Sequence, residues 1–258
     1  MAFPERNVPT GYGSRTDTAE IDQGLRSYML KVYNYMTIGL AVTGIVALFV
    51  SSLATTLDPA AAAAQLRNGV MLTSLGVALY SSPLQWLVIL APVGAVLFLS
   101  FGIQRMATST AQILYWVYAA LMGLSLSSIF LVYTGQSITQ VFFISAASFA
   151  ALSLYGYTTK RDLSAMGSFL IMGLFGLIIA SLVNLFMQSS AFEFAISVIG
   201  VGIFAGLTAY DTQTIKEMYF EGDDAGTAGR KAIMGALNLY MDFINLFIML
   251  LRLVGDRR

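Results

Sequence analysis

The stretch from Met106 to Thr159, MATSTAQILYWVYAALMGLSLSSIFLVYTGQSITQVFFISAASFAALSLYGYTT, carries no charged residue. A soluble domain has about one charged residue in four and clothes its surface with them, so water is not the solvent this segment is built for. A helix crosses the hydrocarbon core of a bilayer in roughly 20 apolar residues. The stretch is too long for one crossing. The polar turn signal Tyr133-Thr134-Gly135-Gln136-Ser137 divides it into spans near 112–132 and 139–158.

The same rule works outward in both directions, because a charge at the bilayer centre costs at least about 2.5 to 3.5 kcal/mol and charges therefore mark the water-exposed points. Residues 32–57, after Lys31 and before Leu57-Asp58-Pro59, form the first span. The Ala60–Ala64 run, Gln65 and Arg67 make a connection in which a short surface helix is expected. The second span covers about 84–103 and stops at Gln104-Arg105, with Pro92 as an internal kink that protein neighbours must satisfy. Lys160-Arg161-Asp162 closes span four, and span five runs over about 167–187 to the return Gln188-Ser189-Ser190. Span six covers 194–211 or slightly more. After the acidic, glycine-rich Glu221-Gly222-Asp223-Asp224-Ala225-Gly226, span seven occupies 232–252.

With 57% hydrophobic and 11% charged residues overall, the chain is expected to be an all-α polytopic membrane protein of about seven transmembrane helices in one bundle. A polar N-terminal segment (1–27) without the apolar core of a removable signal peptide precedes a membrane domain (28–254) and a short polar tail (255–258). Of the 14 Lys and Arg, four (Arg67, Arg252, Arg257, Arg258) fall on one side and the remaining ten on the side of the N-terminus, which places the N-terminus in the cytoplasm. The basic tail is the discordant element, and a re-entrant last segment would reverse its side.

The chain has no Cys and no His, which removes thiol nucleophiles, imidazole bases and the usual zinc and haem ligands. No enzyme activity and no resident cofactor are expected. Net charge is zero and no basic run exceeds two residues, so nucleic acid is not a partner; the lipid bilayer is. Glycines spread through the spans are read as close-packing positions between helices.

Asp242 has ten uncharged residues before it and nine after it in Ala232–Leu251, so it lies inside a span. Asp211 sits near the end of span six and Arg105 at the end of span two. An ionisable side chain in a span usually pairs or lines a water path. Spans six and seven are consecutive and antiparallel, so their acids are expected to meet, although simple counting puts Asp242 deeper than Asp211. Like charge and desolvation oppose full ionisation of such a pair, which is expected to share a proton. Exchange between an acid-to-acid hydrogen bond and a contact with Arg105 would be a two-state element of the kind a gate requires.

Three segments carry a resemblance: Ala209-Tyr210-Asp211-Thr212-Gln213-Thr214-Ile215-Lys216, Leu239-Tyr240-Met241-Asp242-Phe243-Ile244-Asn245-Leu246-Phe247, and Lys160-Arg161-Asp162-Leu163-Ser164. Together they resemble the transmembrane Bax inhibitor motif family, most closely its bacterial branch, over about residues 28–254. The resemblance implies a seven-helix protein of the bacterial inner membrane that lets Ca²⁺ leak across under pH control. The family's paired aspartates fall on Asp211 and Asp242, and its gating arginine on Arg105. Gly94 stands where some members carry an acid in the second span. Two carboxylates are too few for a tight calcium cage, since Ca²⁺ takes six to eight oxygens, so Asp211 and Asp242 are expected to contact calcium or other cations only weakly.

Two other classes compete. An intramembrane aspartyl protease also needs two acids on neighbouring spans, and Tyr210-Asp211 supplies its first half-motif. Asp242 lacks the Gly-x-Gly-Asp context, however, and no Pro-Ala-Leu element follows. A membrane-embedded regulator of another membrane protein, such as a membrane protease, would use the polar N-terminal segment as a handle, but has no evident need for an acid within a span.

Overall fold

The computed structural model describes the backbone from residue 13 and the side chains from residue 23. Residues 1–12 of the polar N-terminal segment lie outside the described residues. The remainder of that segment is the start of the first helix, α1 (Gly13–Ala54), whose apolar part begins near Gln23. Three two-residue strands follow, β1 (Thr55–Thr56), β2 (Ala64–Gln65) and β3 (Met71–Leu72), in the antiparallel order β1-β3-β2, with a 3-10 turn at Pro59–Ala61. This small sheet and turn take the place of the surface helix expected over Ala60–Ala64. Asp58 accepts the Ala60 N–H at 2.9 Å and Pro59 cannot donate, so the local geometry favours a tight turn over a continued helix.

The remaining elements are helical: α2 (Ser74–Ser81), α3 (Leu84–Gly102) with a 3-10 extension at Ile103–Arg105, α4 (Thr108–Leu126), α5 (Ile129–Val132), α6 (Gly135–Thr158), α7 (Ser164–Met187), α8 (Ser190–Glu217) and α9 (Ala225–Val254). The third span is therefore broken into α4 and α5. There Ser127 and Ser128 turn their hydroxyls back onto the carbonyls of Leu124 and Ser125, an alternative to the helical ladder. Gln188, at φ 50°, ends α7, and Ser189 caps α8 by accepting the Phe192 N–H. Among the described residues, seven helical segments are long and apolar enough to cross a bilayer.

Burial shows how they are arranged. In α9, 67% of the apolar stretch is buried, against 11% in α7. The last helix is the axis of the bundle, and α1, α4, α6 and α8 pack around it. α3 leans on α4 and α7 leans on α8, farther from the axis. Leu237, Leu239 and Tyr240 of α9 are wholly buried, while Phe101, Phe169 and Phe186 on the periphery are exposed. A bundle that is apolar outside as well as inside is stable in lipid rather than in water.

Small residues set the closest approaches. A methyl on Gly156 of α6 would run into the carbonyl of Ala209 on α8, so those two backbones touch because no side chain intervenes. At the centre, the Thr43 hydroxyl of α1 donates to the Ala119 carbonyl of α4 at 2.8 Å and lies 2.6 Å from the Tyr240 hydroxyl of α9.

Candidate functional site: a carboxyl pair between the last two helices

Helices α8 and α9 run antiparallel, and their register is fixed by three contacts. A methyl on Gly235 would meet Ile215, one on Gly200 would meet Met249, and the Lys231 ammonium donates to the Met218 carbonyl at 3.0 Å. The first residues of α9 therefore project beyond the end of α8. Counting from the Lys231–Met218 level, at 1.5 Å per residue, Asp242 lies about 16 Å along α9 and Asp211 about 10 Å along α8. This projection reduces the depth mismatch suggested by counting from the sequence to about 6 Å, because the two helices do not begin at a common level.

The Asp211 and Asp242 carboxyls are close neighbours. Asp242 is only 5% exposed, and its Oδ2 atom is buried with no hydrogen-bond partner among the described residues. Asp211 is partly buried. Carboxylates only accept hydrogen bonds, so a bond between two of them requires a proton on one. A proton shared between the two would satisfy the orphaned oxygen of Asp242, which is costly to leave bare.

Arg105 is not brought to this pair. It ends the 3-10 turn after α3, its side chain is exposed, and among the described residues it makes no ion pair. The turn that carries it packs on the projecting start of α9, where the Thr108 hydroxyl donates to the Gly226 carbonyl at 3.1 Å. Gly226 precedes Asp242 by about 24 Å of helix. Arg105 therefore stands at the end of the bundle where α9 begins, not at the acids. No group of three or more His, Cys, Asp or Glu suited to a metal occurs among the described residues.

The segment around Asp211 does more than supply an acid. Thr212 lies 3.0 Å from the Ser153 hydroxyl of α6, which lies 2.6 Å from the Tyr33 hydroxyl of α1. Gln213 accepts from the Leu163 N–H at 2.9 Å and donates to the Arg161 carbonyl at 2.8 Å, clamping the turn between α6 and α7. Lys216 donates to the Tyr157 carbonyl at 2.9 Å. Thr212, Gln213 and Lys216 thus fasten α8 to α6 and to its following turn, which holds Asp211 in place against α9. In the sequence Thr212, Gln213 and Lys216 stood out only as members of the segment that carries the resemblance; single hydroxyls within apolar helices carry no periodic signal.

A bundle of this kind, apolar on its outer face and crossed by a buried acid pair, defines a multi-pass integral membrane protein. The family model described as Inhibitor of apoptosis-promoting Bax1 matches residues 25–258, and the chain belongs to that family. It is 48% identical over 237 residues to RP147 of Rickettsia prowazekii, covering 92% of each protein. It is 44% identical over 237 residues to the Escherichia coli protein named inner membrane protein YbhL, covering 91% of this chain and 94% of that one. A protein of Caulobacter vibrioides is 43% identical over 254 residues, 98% of this chain and 96% of the relative.

Proposed function

We propose that this protein is a pH-sensitive leak pathway for Ca²⁺ or related cations, in which Asp211 and Asp242 form the proton-responsive element. The observation that supports this reading is the buried Oδ2 of Asp242, which has no hydrogen-bond partner among the described residues and has the Asp211 carboxyl as its acidic neighbour. With a proton shared, the two helices are tied together and the bundle is closed around Asp242. With both carboxylates charged, mutual repulsion favours their separation and an open, hydrated arrangement. Flux therefore rises with pH. Arg105 belongs to the second arrangement, in which the end of α3 moves inward along α9 and exchanges the acid-to-acid contact for an acid-to-arginine contact.

Calcium is cargo in this scheme, held weakly by the two acids with water and carbonyls completing its shell. The reading is of a conduit and not of an enzyme: hydrolysis by paired acids needs a water held between them, and the burial of Asp242 favours a proton-responsive element over a hydrolytic one. The printed name of the Escherichia coli relative supports an inner-membrane location, and the distribution of Lys and Arg supports a cytoplasmic N-terminus.

The test is Ca²⁺ flux in proteoliposomes of the purified protein across a pH series. Wild type should gain flux as pH rises. In Asp242→Asn the amide donates a permanent hydrogen bond to Asp211, and flux should stay low and flat. Wild-type pH profiles in both Asp242→Asn and Asp211→Asn would remove the carboxyl pair from the mechanism.

A further inference from the structure

At the end of the bundle opposite the start of α9, a crevice of about 980 Å³ opens between α2, α3, α5 and the last turns of α9. Val88, Ile89 and Ile248 line its apolar part, and Asn68, Ser81 and Gln85 stand among its polar residues. Three arginines line it as well: Arg67, Arg252 and Arg257. Its one acid, Glu193, is already engaged, since the Arg257 guanidinium donates to it at 3.0 Å and also lies 5.9 Å from the Tyr133 ring centroid. That leaves Arg67 and Arg252, neither of which makes an ion pair among the described residues.

We propose that this crevice is a binding site for a phosphate-bearing anion, with Arg67 and Arg252 as its cationic contacts and the headgroup of an anionic phospholipid as the ligand that uses its whole length. Arg252 has a local role, because a cation in the last turn complements the dipole of α9. Arg67 has none. It sits in the β2–β3 connection, beside Asn68, whose amide donates to the Leu131 carbonyl at 2.7 Å and pins the connection to α5. The neighbouring walls are equally fixed. The Tyr80 hydroxyl is 2.7 Å from that of Ser127, the Arg258 N–H donates to the Val132 carbonyl at 2.8 Å, and the Thr134 N–H donates to the Asp256 carbonyl at 3.1 Å.

Two cations lining one crevice whose single carboxylate is engaged by a third cation repel each other until an anion arrives. Phosphate oxygens match guanidinium geometry, and Arg252 closes a membrane span at the level where headgroups lie. The apolar lining beside Val88 and Ile248 suits the beginning of an acyl chain. The volume falls in the range of small-molecule pockets, roughly 300 to 1,000 Å³, and a lone inorganic phosphate would leave most of it empty.

Native mass spectrometry of the full chain released from detergent tests the proposal, with phosphatidylglycerol, phosphatidylcholine and inorganic phosphate as separate probes. Wild type should retain phosphatidylglycerol over phosphatidylcholine, and Arg67→Gln with Arg252→Gln should lose that preference by about thirtyfold, the factor expected for two surface cations. Lys160→Gln, at the other end of the bundle, should keep it. Phosphate binding that the double variant abolishes, without any lipid preference, would identify a free anion as the occupant of the same site. Equal retention of the two lipids by wild type with no phosphate binding would overturn the proposal, as would a double variant that behaves as wild type. If the double variant does not fold, Arg67→Gln alone carries the test, because that side chain is exposed and on a connection.

Discussion

The hydroxyl junction at the centre of the bundle makes an asymmetric prediction. Thr43 has one O–H, and it points to the Ala119 carbonyl at 2.8 Å, so the Tyr240 hydroxyl at 2.6 Å must be the donor to Thr43. Tyr240→Phe removes that donor and leaves Thr43 with its own bond intact. The cost should be that of one interhelical hydrogen bond in a membrane protein, about 0.6 kcal/mol. Thr43→Val keeps the shape but strands the Tyr240 hydroxyl in a position that is 0% exposed, which should cost about 1 to 3 kcal/mol. The Ala119 carbonyl keeps its partner within α4, so it adds little. The double variant has no stranded hydroxyl and should be more stable than Thr43→Val alone. Reversible denaturation in mixed micelles, monitored by tyrosine and tryptophan fluorescence, gives the three differences. A Tyr240→Phe loss as large as that of Thr43→Val, or a double variant in which the two losses simply add, would refute the assigned direction of the bond.

Other consequences are as direct. Gly156→Ala should lower thermal stability by about 1 to 3 kcal/mol, because the added methyl meets the Ala209 backbone, while Gly176→Ala, with open space around it, should be neutral or slightly stabilising in the same melt. The Thr227 hydroxyl and backbone N–H, together with the Gly226 N–H, hold the Asp224 carboxyl below its ordinary range. The stabilisation it gives to the start of α9 is present above the unfolded-state value and is lost as pH falls through the lowered folded one. Asp224→Ala should therefore destabilise at neutral pH and matter progressively less in acid, as melts at several pH values will show.

Charges outlined the spans in the sequence because lipid excludes them, and for this reason the end of α3 at Gly102, with its extension to Arg105, and the end of α6 at Thr158 agree with the reading from Gln104-Arg105 and Lys160-Arg161-Asp162. The same rule placed the ends of α8 and α9 too far inside. Lys216, Glu217, Arg230 and Lys231 all lie within helices that continue past the apolar stretch, and a charge stops lipid, not a helix. The two-residue strands after α1 are too short for any alternation to be seen. Asp242 was conspicuous because it stood alone among apolar neighbours. Its meeting with Asp211 depended on the stagger between two helices, which is set by side-chain interlocking such as Ile215 on Gly235 and is not written in either helix by itself. Arg105 was legible as a boundary residue and no more.

The helix at the axis is the seventh of the spans in chain order, which bears on how the molecule is made. The six helices that sheathe or flank it emerge from the ribosome first, yet the surfaces of α1, α4, α6 and α8 that will cover Leu237, Leu239 and Tyr240 have nothing to close upon until that final segment is released. During synthesis the wall must stay parted around the place that α9 will fill. Insertion of the last helix is then the event that completes the core, and a chain cut short before Ala225 would be left with a vacant centre instead of a smaller bundle.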